Sequence, residues 1–314
     1  MTLTNLSDEN YDSTSTLPSA TGTNAVAIGI EATATALYSH SMGYGADATT
    51  QYATAIGYDA LASGSRSVAL GDSNSAGLAS FAAGIANRST SYGATSNYSI
   101  AMSQLAKATG THAIALGWLS QSNAAGSVVI GSGAGQATAN GAVSIGGYIQ
   151  AGAKATGVES MALGNSAVAA EQGKLARSCG HFGAAGDAQG GQFILRADTT
   201  DATATVLTSN NNTASSTNQI VAASDTCITF SGTVVAMQNG AQSYGSWEIR
   251  GLLVNDGGTT TLPVFNISEI GSSGWKVNLY ADNTNNALKV QVTGEASHNI
   301  RWVANIATAE VTYA

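Results

Sequence analysis

The residues that could do chemistry are few and scattered along the chain. Its 4 histidines and 2 cysteines lie far apart, with no Cys-x-x-C spacing and no Ser/His/Asp or Cys/His arrangement. Few carboxylates occur in the first half, and no acidic pair of the kind that glycoside hydrolysis needs is evident there. They include Glu31, Asp47, Asp59, Asp72 and Glu159. The sequence therefore predicts no catalytic residue, no metal site and no cofactor, with a polysaccharide depolymerase kept as an alternative.

Composition excludes several further classes of protein. Charged residues make up 10% of the 314 residues and the net charge is −8, so no basic surface is available for nucleic acid. No apolar run approaches the roughly 18 residues that span a bilayer, which argues against membrane insertion. The polar, acidic start "MTLTNLSDENYDS" lacks an apolar signal-peptide core, so we expect folding in a cytoplasm. Cys179 and Cys227 are then expected to be small buried hydrophobic residues rather than a disulfide or reactive thiols.

A repeat of about fourteen residues organises the first half of the chain. Its motif is apolar–Ala–apolar–Gly, and the intervals between successive copies are 14, 14, 14, 13, 19, 14, 14, 15 and 18 residues. The last residues of the copies are Gly29, Gly43, Gly57, Gly71, Gly84, Ser103, Gly117, Gly131, Gly146 and Gly164. A short fixed period of this kind is typical of a solenoid.

The repeat also predicts which way its side chains point. Positions one and three before the closing residue are large and apolar, as in Val68 and Leu70, whereas the position between them is Ala, Ser or Val. Alternate residues of a strand share a face, so each coil should contain two short strands joined by tight turns. The main strand is apolar on both faces although a narrow coil has one interior. Other copies of the chain are therefore expected to cover the second face.

These repeats resemble the heads of trimeric autotransporter adhesins, the YadA-like head. The resemblance rests on "SVALG" and on the Ala-x-Ala strands between the anchors, in nine or ten copies in register. It implies a left-handed parallel β-roll and a homotrimer. In this interpretation His40 lies in a column of inward-pointing residues. It would be a hydrogen-bonded core histidine, or three copies of it near the trimer axis could bind an ion.

Beyond the repeats the sequence predicts an antiparallel β-sandwich or jelly-roll. Eight candidate strands alternate with turn clusters such as "NNNTASS" and "DNTNN". The stretches "GDAQGGQFILRA" and "VTGEASHNIRWVANIATAEV" are similar to a C-terminal domain of phage tail fibres. The sequence predicts four divisions. They are an N-terminal attachment or capping segment (residues 1–24), the β-roll (25–164), a connector or neck (165–190) and the β-sandwich (191–314).

Two groups of residues are candidates for receptor contact. Loops of the C-terminal domain offer Tyr244, Trp275, Asn283 and Asn285, because loops at the tip of a fibre often carry recognition. The 19-residue interval of the repeat offers Tyr92, Asn97 and Tyr98, with a structural kink as the alternative.

Aromatic residues at the turns of the roll have two interpretations. Tyr38 and Tyr52, and likewise Tyr44 and Tyr58, should stack between neighbouring coils. A stabilising ladder is favoured over a flat surface for sugar rings. Trp302 is expected in the core, with Trp247 as a second candidate for it.

Together these features predict a homotrimeric phage tail fibre that attaches to the host cell. Its partners would be two further copies of itself, a host surface glycan or outer-membrane receptor, and a virion baseplate or tail protein bound through the N-terminus. It would belong to the virion tail and be assembled in the host cytoplasm. The alternatives are a structural spacer without a receptor site and the head fragment of a bacterial adhesin.

Overall fold

The computed structural model describes residues 16–84, 91–147, 152–240, 243–271 and 274–313. The chain is all-β, with a parallel β-solenoid of about 11 turns of about 14 residues followed by antiparallel sheets. No helix in these ranges is long and apolar enough to cross a membrane. The chain divides into two compact units, Met1–Gly152 and Ala153–Ala314.

The first unit is built from short strands that alternate between two stacks. In chain order they are β1 (Ser19–Ala20), β2 (Val26–Ile28), β3 (Thr33–Ala34), β4 (His40–Met42), β5 (Asp47–Ala48), β6 (Thr54–Ile56), β7 (Leu61–Ala62), β8 (Val68–Gly71), β9 (Asn74–Ser75), β10 (Phe81–Gly84), β11 (Gly93–Ala94), β12 (Ile100–Met102), β13 (Lys107–Ala108), β14 (Ile114–Leu116), β15 (Gln121–Ser122), β16 (Val128–Ile130), β17 (Gln136–Ala137) and β18 (Val143–Ile145). Even-numbered strands pair in parallel with one another, as do odd-numbered strands. The register joins equivalent repeat positions, such as Thr54 with Val68. The predicted repeat is therefore confirmed as successive coils.

The interior of each coil contains small side chains. Ala55 and Ala69, at the centres of β6 and β8, are fully buried, and so are Ala48 and Ala62 of the opposite stack. Where the central residue is serine, as at Ser41, it is buried too. The two stacks are thus separated by little more than methyl and hydroxymethyl groups, which confirms the prediction of a small-residue face.

The turns depend on left-handed backbone at fixed repeat positions. Five residues before the closing position, Tyr38, Tyr52, Arg66 and His112 have φ between 55° and 60°. At Gly57, with φ of 128°, a Cβ atom would lie 2.7 Å from the Gly71 Cα atom of the next coil. Glycine is needed there because neighbouring backbones almost touch.

The second unit begins with the last coils and continues into long strands. They are β19 (Lys154–Ala155), β20 (Met161–Asn165), β21 (Val168–Ala169), β22 (Leu175–Cys179), β23 (Ala188–Thr199), β24 (Thr205–Val206), β25 (Ile220–Val221), β26 (Thr226–Gln238), β27 (Tyr244–Asp256), β28 (Thr259–Gly271), β29 (Lys276–Asp282), β30 (Ala287–Thr293) and β31 (Ile300–Thr312). The eight strands predicted beyond the repeat are present, and β25 is an additional strand that the sequence did not predict.

The solenoid extends one coil further than the sequence periodicity predicted. Strand β22 pairs in parallel with β20, so Met161 lies beside Leu175 and Leu163 beside Arg177. Part of the predicted connector is therefore a coil. Its motif, Leu-Ala-Arg-Ser, has arginine where the other copies have an apolar residue or alanine.

Two sheets of the second unit, antiparallel apart from the β20–β22 pair, share one hydrophobic core. The larger sheet has the order β20-β22-β23-β31-β26-β27-β28, and the smaller consists of β24, β30 and β25, with β29 also on β30. Trp302 is fully buried at the centre, with its ring centroid 5.5 Å from Trp247 and 5.7 Å from Trp275. Its indole nitrogen donates to Thr199 Oγ1 at 2.9 Å. The core positions predicted for Trp302 and Trp247 are confirmed.

Candidate functional site

An apolar surface runs along the outer face of the even-numbered strands of the first unit. Because the central residue of each strand points inward, the residues on either side point outward. Large apolar side chains there are 39–48% exposed in the single chain. They are Met42, Ile56, Met102, Ile130 and Ile145. A contiguous apolar surface of this kind marks a contact surface rather than a solvated face.

His40 lies on this outer surface and not inside the coil. Its side chain is exposed, whereas the neighbouring Ser41 points into the interior. The expectation of a core histidine is therefore wrong for the single chain. Among the described residues, no group of three or more His, Cys, Asp or Glu side chains is arranged to hold a metal ion.

The predicted aromatic ladders form at the turns. Tyr38 and Tyr52 stack with ring centroids 5.4 Å apart, and Tyr44 and Tyr58 at 5.5 Å. The Arg66 guanidinium continues the first ladder, 5.8 Å from the Tyr52 ring centroid. Each ring covers one face of its partner, so that face cannot stack on a sugar. The geometry therefore favours a stabilising role.

The insertion candidates serve the same turn architecture. Asn97 Oδ1 accepts the Leu78 backbone N–H at 3.0 Å, and Tyr98 stacks on His112 at 5.0 Å. Tyr92 is half-buried. Residues 85–90, which complete the long interval, lie outside the described residues. The described side chains thus show structural contacts, and a receptor contact stays a prediction.

A recess in the second unit brings one predicted residue close to new ones. On the outer face of the larger sheet, Asp198, Arg301, Met237 and Tyr244 are cross-strand neighbours on β23, β31, β26 and β27. Arg301 Nε lies 3.2 Å from Asp198 Oδ1, and Tyr244 is 69% exposed. Met237 lies between Tyr244 and Arg301, and Tyr244 is not part of the lining of the recess. A ligand that contacts both the aromatic ring and the guanidinium–carboxylate pair must therefore extend across Met237.

The recess has a volume of about 590 Å³ and a mixed lining, with more apolar than polar surface. Besides Asp198 and Arg301, it includes the amides of Gln238, Asn239 and Asn299 and the hydroxyl of Thr200. Amides and hydroxyls both donate and accept hydrogen bonds, as sugar hydroxyls do. Sequence reasoning found Tyr244 but missed these residues, because their proximity depends on the pairing of distant strands.

The remaining tip candidates lie elsewhere. Trp275 is 3% exposed and belongs to the core, so its prediction as a surface residue is wrong. Asn283 Oδ1 accepts the Thr260 backbone N–H at 2.7 Å, and Asn285 Nδ2 donates to Asp282 Oδ2 at 2.9 Å. Burial raises the pKa of Asp282, but hydrogen bonds from Asn285 and Thr284 outweigh this and lower it. The segment is the predicted hairpin turn between β29 and β30.

The cysteines also differ from expectation. Cys179 is exposed and Cys227 half-buried, and both are free thiols. Neither is a buried hydrophobic residue, because both point away from the shared core. Strand β22 ends at Cys179, and Cys227 lies opposite Val254 and Val311 on the outer face.

Comparison with known families agrees with the solenoid. The model of the YadA head domain repeat matches residues 20–46, 48–74, 108–134 and 155–173. These segments of the chain therefore carry YadA-type head repeats.

One solved structure is also similar to the chain, at a low level. It is the tailspike protein gp49 of the Acinetobacter baumannii bacteriophage Fri1, a capsular polysaccharide depolymerase, at 8% identity and a TM-score of 0.23. The alignment covers 91% of this chain and 69% of that one. So low a score supports no inference about chemistry here. No curated protein matches the chain.

Proposed function

We propose that the chain is the subunit of a homotrimeric phage attachment fibre that binds glycans on the host cell surface. The observation that carries the assembly is the outer apolar surface of the head repeats. Side chains such as Met42, Ile56 and Ile130 remain about two-fifths exposed in one chain, coil after coil. The number three comes from the resemblance to trimeric adhesin heads.

The proposed receptor site combines the recess with Tyr244, which lies next to the recess residue Met237 on the neighbouring strand. Its amides, its hydroxyl and the Arg301–Asp198 pair offer hydrogen bonds to a sugar, and the tyrosine ring offers a stacking face. The net charge of −8 argues against capture of an anionic surface by charge alone. Three weak sites on one trimer would bind a repetitive glycan surface with greater avidity than one.

The experiment measures adsorption of the labelled full-length protein to intact bacteria, with its mass in solution determined alongside. We expect a mass three times that of one chain. Tyr244→Ala should lower cell binding by about tenfold or more, the effect of losing an aromatic hot spot, without changing the mass. Tyr280→Ala is the matched control, because Tyr280 is also exposed but lies on the smaller sheet.

The alternatives give different results. Periodate oxidation of the cells should abolish binding if the receptor is a glycan. A trimer that adsorbs to no cell would favour the spacer. Equal binding by the Tyr244 and Tyr280 variants would refute the site that combines the recess with Tyr244. Cleavage of capsular polysaccharide by the purified protein would favour the depolymerase.

A further inference from the structure

A rigid loop of the second unit presents an exposed aromatic residue. Phe182, between β22 and β23, is 83% exposed. The buried Asp187 carboxylate accepts the backbone N–H groups of Phe182 at 2.9 Å, Gly183 at 2.6 Å and Ala184 at 2.8 Å. His181 Nδ1 lies 2.7 Å from Ser166 Oγ. The ring is therefore held out by an ordered backbone, and little conformational freedom would be lost on binding.

The same unit contains a groove with apolar walls and a small-residue floor. Its volume is about 1020 Å³, and its lining includes Leu163, Leu175, Arg177, Gly190 and Ala307. Arg177 lies opposite Gly190 in the pairing of β22 and β23. A Cβ atom at Gly190 would lie 3.5 Å from the Thr308 backbone oxygen and within 4 Å of no other atom, so there is free space above this glycine. An aromatic ring could enter between the leucines with the Arg177 guanidinium near its face.

The groove belongs to the face that the proposed assembly must cover. Leu163 and Leu175 occupy the outward apolar positions of the last coils, equivalent to those of Ile28 and Val26 in the first. Within the second unit this face continues onto the small residues of β23 and β31. Because Leu163 and Leu175 repeat the outward apolar positions of the coils, we infer a second copy of the chain as the occupant.

We propose that Phe182 of each copy inserts into this groove of the next copy in the trimer. The inference rests on the proposed function, because it assumes the trimer. One aromatic residue and one groove per chain form a heterologous contact, which closes into a ring of three. Large aromatic side chains in desolvated pockets are the usual anchors of protein interfaces.

The test is an engineered disulfide in the full-length protein with Cys179→Ser and Cys227→Ser. Phe182→Cys combined with Leu163→Cys should give a covalent trimer on a non-reducing gel after mild oxidation. Ala307→Cys in place of the Leu163 substitution tests a second position in the groove. The matched control is Phe182→Cys with Val264→Cys, because Val264 is exposed on β28, far from the groove in the strand order.

Phe182→Ala tests the energetics without cysteines. Phe182 is almost fully exposed in the single chain, so this variant should fold. Loss of about tenfold per anchor, over three anchors, predicts a roughly thousandfold weaker association constant for the trimer. A trimeric protein with no covalent trimer at either groove position, or with unchanged association after Phe182→Ala, would overturn the anchor and leave the trimer standing. A parent protein that is monomeric in solution would overturn the proposed assembly itself.

Discussion

Three neighbouring charged residues in the second unit should respond differently to substitution. Lys174, Glu171 and Glu310 are 3%, 7% and 8% exposed. Lys174 Nζ lies 2.8 Å from Glu310 Oε2 and 3.2 Å from Glu171 Oε2. One buried cation thus faces two carboxylates.

The two carboxylates differ in how many protein groups stabilise their negative charge. Glu310 also accepts hydrogen bonds from Gln189 Nε2 at 2.8 Å and Thr308 Oγ1 at 2.7 Å. Burial raises the pKa of Glu171, although the attraction of Lys174 opposes this. Glu171 is therefore the carboxylate whose charge costs free energy.

These contacts set the expected changes in the free energy of unfolding. Lys174→Met should cost about 3–5 kcal/mol, because it leaves buried carboxylates without a cation. Glu310→Gln should cost about 1.5–3 kcal/mol, the value of hydrogen bonds to a charged group. Glu171→Gln should be neutral or stabilising at neutral pH, because it removes the unfavourable buried charge and retains an acceptor for Lys174.

The pH dependence follows from the same contacts. A carboxyl group with a raised pKa in the folded state binds its proton more tightly there than in the unfolded state. The free energy of unfolding therefore falls as pH rises from about 4.5 through the raised pKa of Glu171. Glu171→Gln should remove this part of the slope.

Tryptophan emission during urea unfolding provides the measurement, in a Trp118→Phe background of the full-length protein. The three remaining tryptophans all lie in the core of the second unit. Each variant is compared with this parent at a series of pH values from about 4.5 upward, so that the slope itself is measured. The reasoning is refuted if Glu171→Gln destabilises as much as Glu310→Gln, or if it leaves the pH slope unchanged.

Two further predictions concern the solenoid. Ala55→Leu should lower the stability of the first unit by about 1–3 kcal/mol, because Ala55 is fully buried between the stacks. Thermal unfolding followed by circular dichroism tests this, and an unchanged unfolding midpoint would contradict it. Tyr52→Asn should lower the free energy of unfolding by about 1–2 kcal/mol, because the stack on Tyr38 and the contact with Arg66 are lost. Asparagine tolerates the positive φ at this position, so the backbone adds no strain. Equal stability in the same thermal unfolding experiment would show that the ladder contributes nothing.

Sequence reasoning succeeded where a feature recurs. Each of the ten or so copies of the anchor motif gives independent evidence for the period, the strand and the direction of its side chains. The ladder pairs, such as Tyr44 with Tyr58, followed from the same register. Even so, the coil that ends near Ser178 was missed, because Arg177 replaces the residue that defines the motif.

Features that depend on distant pairing could not be predicted. The Lys174–Glu310 contact joins residues 136 positions apart, and only the Glu171–Lys174 spacing was visible locally. Trp275 follows a turn-like "GSSG" and so resembled a loop residue, but its ring packs against Trp302. Its burial depends on how the two sheets face each other, which no local pattern reports.

The arrangement of large and small residues connects stability with the proposed assembly. Inside the coils, residues such as Ala55 and Ala69 bury little more than a methyl group, whereas Ile56 and Ile130 point outward. Burial is worth about 0.8 kcal/mol per methylene, so much of the apolar free energy available to the first unit lies on its outer face. In a solenoid that does not associate, these outer apolar side chains would stay exposed to water and contribute no such stabilisation. Association along this face would therefore stabilise the solenoid as well as build the fibre, and we expect substitutions there to weaken folding and assembly together.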